Sequence, residues 1–179
     1  MTMHKKVAIL ALLLVFAGFG LSPLWAQTTK SESAEIKWVS YDKGLQVAKK
    51  QKKHLVVDFY TTWCGWCKKM DKDTYSNQEI KKLLADNYVA VKLNAESPKS
   101  LNVNGKSVTE RQVAQEFRVT GFPTTCFLKP DGEKIACLPG YSGPGNFANV
   151  LSYIKDKAYE KEMRLDEYIK EKEQKKGKS

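Results

Sequence analysis

Histidine is almost missing from this 179-residue sequence, with His4 and His54 the two copies. Methionine is nearly as scarce, at four. A ligand set rich in histidine or methionine for a soft metal therefore has nothing to be built from. No apolar run reaches the ~20 residues that a membrane-spanning helix needs. Aromatic residues do not interleave with the lysines, so the pattern of a nucleic-acid surface is lacking. There is no internal repeat and no long linker, and the length suits one domain rather than two.

What is present begins with charge. Lys plus Arg number 30 against 20 acidic residues, a formal net charge of +10. Much of the excess falls in residues 49–53 and 170–178, which read as solvated basic stretches. At the N-terminus, Lys5 and Lys6 precede an apolar run from Val7 to Phe19. Gly20, Ser22 and Pro23 break that run, and Ala26 stands before Gln27. A positive start, a short apolar stretch and a small residue at the cut predict a secretory signal over residues 1–26. A flexible leader is expected over 27–35, since Thr28 to Ala34 are small and polar. The expected location is then periplasmic or secreted, where thiols tend to be oxidised.

Residues 36–157 read as one α/β domain, and 158–179 as a charged helical extension. Ile36 to Val39 suggests a short strand, and Tyr41 to Lys53 an amphipathic helix with Leu45, Val47 and Ala48 among lysines. His54 to Tyr60 is β-branched and aromatic, a buried central strand interrupted by one acid, Asp58. A helix follows from about Cys64 to Met70, and another over Asn77 to Ala85 with Asn77 as its cap. Tyr88 to Leu93 is a second strand, and Asn94 to Ser107 reads as a loop rich in Asn, Ser, Gly and Pro. After a helix over Thr109 to Phe117, two strands, Thr124 to Leu128 and Lys134 to Leu138, form a hairpin through Pro130-Asp131-Gly132. One helix is expected from Phe147 to about Lys172. Strands alternating with helices imply parallel pairs, and the closing hairpin makes the sheet mixed, with helices on both faces.

The chemistry centres on Trp63-Cys64-Gly65-Trp66-Cys67-Lys68. Two cysteines three apart at a helix start can close a small disulfide ring. Free backbone N–H groups and the helix dipole there favour the thiolate, the form that attacks disulfides. That makes Cys64 the nucleophile and Cys67, one turn inside, the resolving thiol. Haem attachment would need histidine where Lys68 stands. Zinc is disfavoured because Cys126 and Cys137 have ten residues between them, against the two to four usual for structural pairs. A merely structural Cys64–Cys67 bond would close too short a loop to stabilise much.

The run "VVDFYTTWCGWCK" from Val56 to Lys68 resembles the active-site strand and helix of the thioredoxin superfamily. "VAVKLN" from Val89 to Asn94 resembles its next strand, and "VTGFPT" from Val119 to Thr124 its cis-proline loop. The similarity spans about Lys37 to Lys157 and is greatest with exported thioredoxin-like members. It implies a thioredoxin fold and thiol–disulfide oxidoreductase activity without cofactor or metal. It further implies that Pro123 is a cis-proline lying against the sulfurs, with Phe122 pairing to an extended substrate. Asp58, six residues before Cys64, matches a buried aspartate that exchanges a proton with the resolving cysteine, and Lys92 a lysine able to pair with it. A carboxyl in an apolar strand is costly unless protonated or paired, an independent pointer to function. Trp63 is expected to cover the sulfurs and, with Trp66, to face substrate. Trp66 departs from the proline of thioredoxin itself and from the histidine of strongly oxidising relatives.

The expected function is reduction or isomerisation of protein disulfides, with protein thiols as partners and a membrane or thioredoxin-like electron donor. The alternative is copper(I) carriage on the same dithiol. For the other two cysteines, a three-residue hairpin loop with Gly132 left-handed pairs Lys129 with Glu133 and sets Cys126 opposite Ala136. The sulfurs then point to opposite faces, which predicts two small buried hydrophobes rather than a disulfide. His54 is expected to be structural. In the tail, Met163, Leu165, Tyr168 and Ile169 offer a face for the domain or for a partner.

Overall fold

The computed structural model describes residues 34–177; the expected signal over 1–26 and most of the leader over 27–35 lie outside them. Along the chain come α1 (Tyr41–Gln51), β1 (His54–Tyr60), α2 (Gly65–Met70), a π-helical turn (Asp71–Tyr75), α3 (Gln78–Asn87) and β2 (Tyr88–Asn94). Then follow β3 (Ser100–Val103), β4 (Lys106–Thr109), α4 (Glu110–Glu116), β5 (Thr124–Leu128) and β6 (Lys134–Pro139). The chain closes with α5 (Pro144–Lys155), a 3-10 turn (Ala158–Lys161) and α6 (Leu165–Lys176). No helix among the described residues is long and apolar enough to cross a membrane.

The main sheet runs β2-β1-β5-β6, with β1 parallel to β2 and antiparallel to β5. This is a mixed α/β sheet with helices packed on both faces, as expected from the order of elements. Strand alternation sends Leu55, Val57, Phe59, Val89, Val91, Leu93, Cys126 and Leu128 to one face, where they pack with Tyr41 and Ala48 of α1 and Val113 and Ala114 of α4. Val56 and Phe127 point to the other face, against Met70, Tyr75, Ile80, Leu84, Phe147 and Leu151. Asp58 pairs with Lys92 and Thr125 in the register and so shares that second face. α1 comes so close to the sheet that a Cβ on Gly44 would collide with Val91 Cγ2.

Several elements differ from the sequence expectation. The strand expected over Ile36–Val39 is reduced to one bridge, Val39 with Val91. The expected loop over Asn94–Ser107 contains the hairpin β3–β4, turning on Asn104 and Gly105, both at positive φ. The single closing helix is broken between α5 and α6.

The hairpin β5–β6 keeps the expected three-residue loop, with Lys129 N–H donating to Glu133 O at 2.8 Å and Gly132 at φ +93°. The expectation for the cysteines is nonetheless overturned. Phe127 pairs with Ala136 while Leu128 pairs with Lys134, so Ile135 is an extra residue in β6. This β-bulge moves the register by one. Cys126 thereby faces Cys137 rather than Ala136, and the two form a disulfide.

Candidate active site

β1 ends at Tyr60 and the chain turns through buried Thr61, whose carbonyl accepts from Cys64 N–H at 3.3 Å. Cys64 is extended (φ −69°, ψ 106°) and caps α2. Its Sγ accepts from the N–H of Cys67 at 3.0 Å, so a side-chain sulfur takes the place that a capping oxygen usually fills. Cys64 and Cys67 form a disulfide with Cα atoms 5.3 Å apart. Both cysteines are nearly buried, whereas Trp63 and Trp66 beside them are 65% and 59% exposed. α2 is short, but the π-helical turn prolongs it to Tyr75, so the dipole of a longer helical run ends at Cys64.

Two aromatic contacts join this turn to other loops. Trp63 meets Phe122 edge-on at 6.0 Å, and its Nε1–H donates to Glu96 Oε2 at 2.9 Å. Trp66 lies 5.6 Å from Tyr141. The Phe122–Pro123 peptide is cis, as the resemblance implied. Pro123 O accepts from Gly140 N–H at 2.8 Å. The contacts thus run from Trp63 to the Phe122–Pro123 loop, on to Gly140 and Tyr141, and back to Trp66. Glu96 and Tyr141 are parts of this ring that sequence reasoning missed. Both lie in loops, far along the chain from Cys64, and no local motif marks them.

On β1, six residues before Cys64, Asp58 is 2% exposed. Its Oδ1 has no hydrogen-bond partner, and its Oδ2 is 3.8 Å from Lys92 Nζ. Lys92 turns instead to Asp71, with which it makes a direct ion pair. Its ammonium lies over the rings of Trp38, Tyr60 and Tyr75 at 5.2, 5.4 and 5.7 Å. Burial pushes the Asp58 carboxyl up to about 7; Lys92 draws it down, and Asp71 adds to the rise. Burial also lifts the Tyr75 hydroxyl well above its ordinary value, and that hydroxyl lies 3.4 Å from Thr125 Oγ1. Asp71 and Tyr75 were likewise missed, because the helical continuation past Met70 brings them here.

His54 stands at the opposite end of β1 from the turn that leads to Cys64. It is buried, its Nε2 is 2.8 Å from Tyr159 Oη, and burial lowers its pKa. It therefore anchors the C-terminal segment and stays away from the dithiol.

The model of a thioredoxin-like domain matches residues 41–155. The chain is 29% identical over 134 residues to the disulfide bond reductase DsbH of Chlamydia pneumoniae, covering 72% of this chain and 76% of that one. It is 29% identical over 160 residues to the thiol:disulfide interchange protein DsbD of Yersinia enterocolitica, covering 83% of this chain but 25% of that one. Among solved structures, a DsbH oxidoreductase superposes with a TM-score of 0.56 at 23% identity, covering 71% of this chain and 90% of the other. A thioredoxin-fold protein from Helicobacter pylori gives a TM-score of 0.58 at 24% identity, covering 68% and 80%.

Proposed function

Because the chain belongs to the thioredoxin-like domain family and is a thiol–disulfide oxidoreductase, we propose that it reduces or isomerises protein disulfides in the periplasm through Cys64 and Cys67. The observation that carries the reading is the Cys67 N–H donated to Cys64 Sγ at the start of α2. In the reduced enzyme that donor and the helix dipole favour a thiolate on Cys64.

The Cys64 thiolate attacks a substrate disulfide and forms a mixed disulfide. Cys67 then attacks the Cys64 sulfur and releases the substrate thiol. To attack, Cys67 must lose its proton, and Asp58, poised near neutrality, is the acceptor we assign. Phe122 and Pro123 shape the groove for extended substrate, and Trp63 and Trp66 give it an apolar rim. Two features favour the reducing direction. Gly65 and Trp66 put no histidine between the cysteines to stabilise the thiolate further. One relative bears the name disulfide bond reductase. A reductase needs electrons, so a membrane or thioredoxin-like donor belongs to the proposal. The export reading of residues 1–26 supports a periplasmic setting, and so does a chain holding two disulfides.

The test is the reduction potential of Cys64–Cys67 by equilibration with glutathione and dithiothreitol buffers. A value near that of thioredoxin, about −270 mV, is expected. A value near about −120 mV would make the protein a disulfide donor and overturn the direction.

A further inference from the structure

The second disulfide takes no part in the reaction just described. Cys126 points to the α1/α4 face of the sheet, whereas Asp58 and Met70 belong to the other face. Its two sulfurs have unlike surroundings. Cys126 has no exposed surface and sits on β5 between Val57 of β1 and Cys137 of β6. Cys137 is exposed, and β6 is the last strand of its sheet.

Access decides which sulfur exchanges. An incoming thiolate attacks one sulfur from the side opposite the sulfur that leaves. The two cysteines face each other across neighbouring strands, so their bond crosses from β5 to β6. Behind Cys126 along that line stands β1. Behind Cys137 is the outer edge of β6, which pairs with no further strand among the described residues.

We propose that Cys126–Cys137 is a second thiol-exchange site, entered at Cys137 by an external thiolate. The incoming sulfur bonds to Cys137 Sγ and the Cys126–Cys137 bond breaks. The electron pair leaves on Cys126, which takes up a proton and stays in the core as a small hydrophobic thiol. A second external thiolate then attacks the sulfur of the first, forming the external disulfide, and the electron pair leaves on Cys137, which takes up a proton. The protein pair gains two electrons, and two external thiols become one disulfide. Exchange here is slower than at Cys64–Cys67, because an apolar pocket disfavours the departing Cys126 thiolate, whereas a helix start favours that of Cys64. The bond opened ties β6 to β5 next to the Pro123 loop: Thr124 pairs with Pro139, and Gly140 N–H reaches Pro123 O.

The test uses the chain carrying Cys64→Ser and Cys67→Ser, oxidised at Cys126–Cys137. It is incubated folded with reduced glutathione, the exchange is stopped with acid, and the free thiols are capped by an alkylating agent in denaturant before mapping by peptide mass spectrometry. The expected result is glutathione on Cys137 and the alkyl cap on Cys126. The rate should be at least roughly tenfold below that of Cys64–Cys67 opening in the chain carrying Cys126→Ser and Cys137→Ser. Glutathione on Cys126 overturns the proposal. So does a pair that stays closed in the folded chain and opens only in denaturant. The same mapping on the unaltered chain, judged by the same adducts, guards against serine variants that fail to fold.

Discussion

Asp58 is held where its charge is costly, and that cost can be measured. Its carboxyl is raised from 3.8 to about 7 in the folded chain by burial. Between those two values the folded chain keeps a proton that the unfolded chain has released. Folding therefore gains from the protonated carboxyl below about pH 4 and loses that gain as pH rises through about 7. Asp58→Asn should accordingly be more stable than the parent at pH 8, by no more than ~4 kcal/mol, and nearly equal to it at pH 4, in urea titrations at the two values. The same variant should lose the inflection near pH 7 in the rate of mixed-disulfide resolution; an unchanged inflection would remove Asp58 from the proposed proton transfer. The charged and titratable groups acting on this carboxyl are Lys92 from β2 with Asp71 and Tyr75 from the π-helical turn. Asp71 draws the ammonium away from Asp58 and adds negative charge of its own. Asp71→Asn should thus move the inflection to lower pH, read from the same rate profile, while Asp71→Glu restores it. An acid inside an apolar strand made Asp58 legible in the sequence. Asp71 carried no such mark, since two lysines and another aspartate surround it.

At the scale of elements, local chemistry was readable and long-range register was not. Asn77 caps α3 by accepting from Glu79 and Ile80 N–H, as its residue type announced. β1 and the start of α2 stand where the apolar run and the cysteines placed them. The hairpin β3–β4 had a readable signal in Asn104-Gly105, a pair suited to a two-residue turn, but the polar composition around it read as loop. The bulge at Ile135 had none, because Ile135 resembles its neighbours in residue type; one extra residue then decided which side chain faced Cys126. The break between α5 and α6 was equally silent. Lys157 and Glu162 adopt left-handed φ of 52° and 54° with no glycine or proline to announce it. At α1 a single hydrogen in place of a methyl group sets the helix–sheet distance. Gly44→Ala gains up to ~1 kcal/mol of helix propensity but forces Val91 aside, an overpacking that costs ~1–3 kcal/mol. The expected outcome is a melting temperature lower by a few degrees, measured by circular dichroism; an increase would mean that Val91 yields freely.

Across the whole molecule, the chemistry and the C-terminal segment occupy opposite ends of β1. A strand of this length spans ~20 Å, with Tyr60 leading to Cys64 at one end and His54 bound to Tyr159 at the other. α6 is secured at that second end. The Tyr153 and Tyr168 rings meet edge-on at 5.6 Å, and Tyr153 Oη donates to Met163 O at 2.8 Å. Tyr168 Oη donates to Asp156 Oδ2 at 2.5 Å, and Leu165 packs on the core face that carries Phe147. None of these contacts touches Trp63, Trp66, Phe122 or Asp58. Removal of residues 164–179 strips half-buried side chains and one aromatic contact from α5, which should cost ~1–2 kcal/mol. It leaves the dithiol, its N–H donor and its aromatic rim in place. The expected result is a lower melting temperature with an unchanged rate of disulfide reduction per folded molecule, assayed on one protein substrate at a temperature where both chains are folded. A fall in rate without a fall in stability would instead assign α6 to substrate or donor binding, with Lys170 to Lys175 as the charges to remove next.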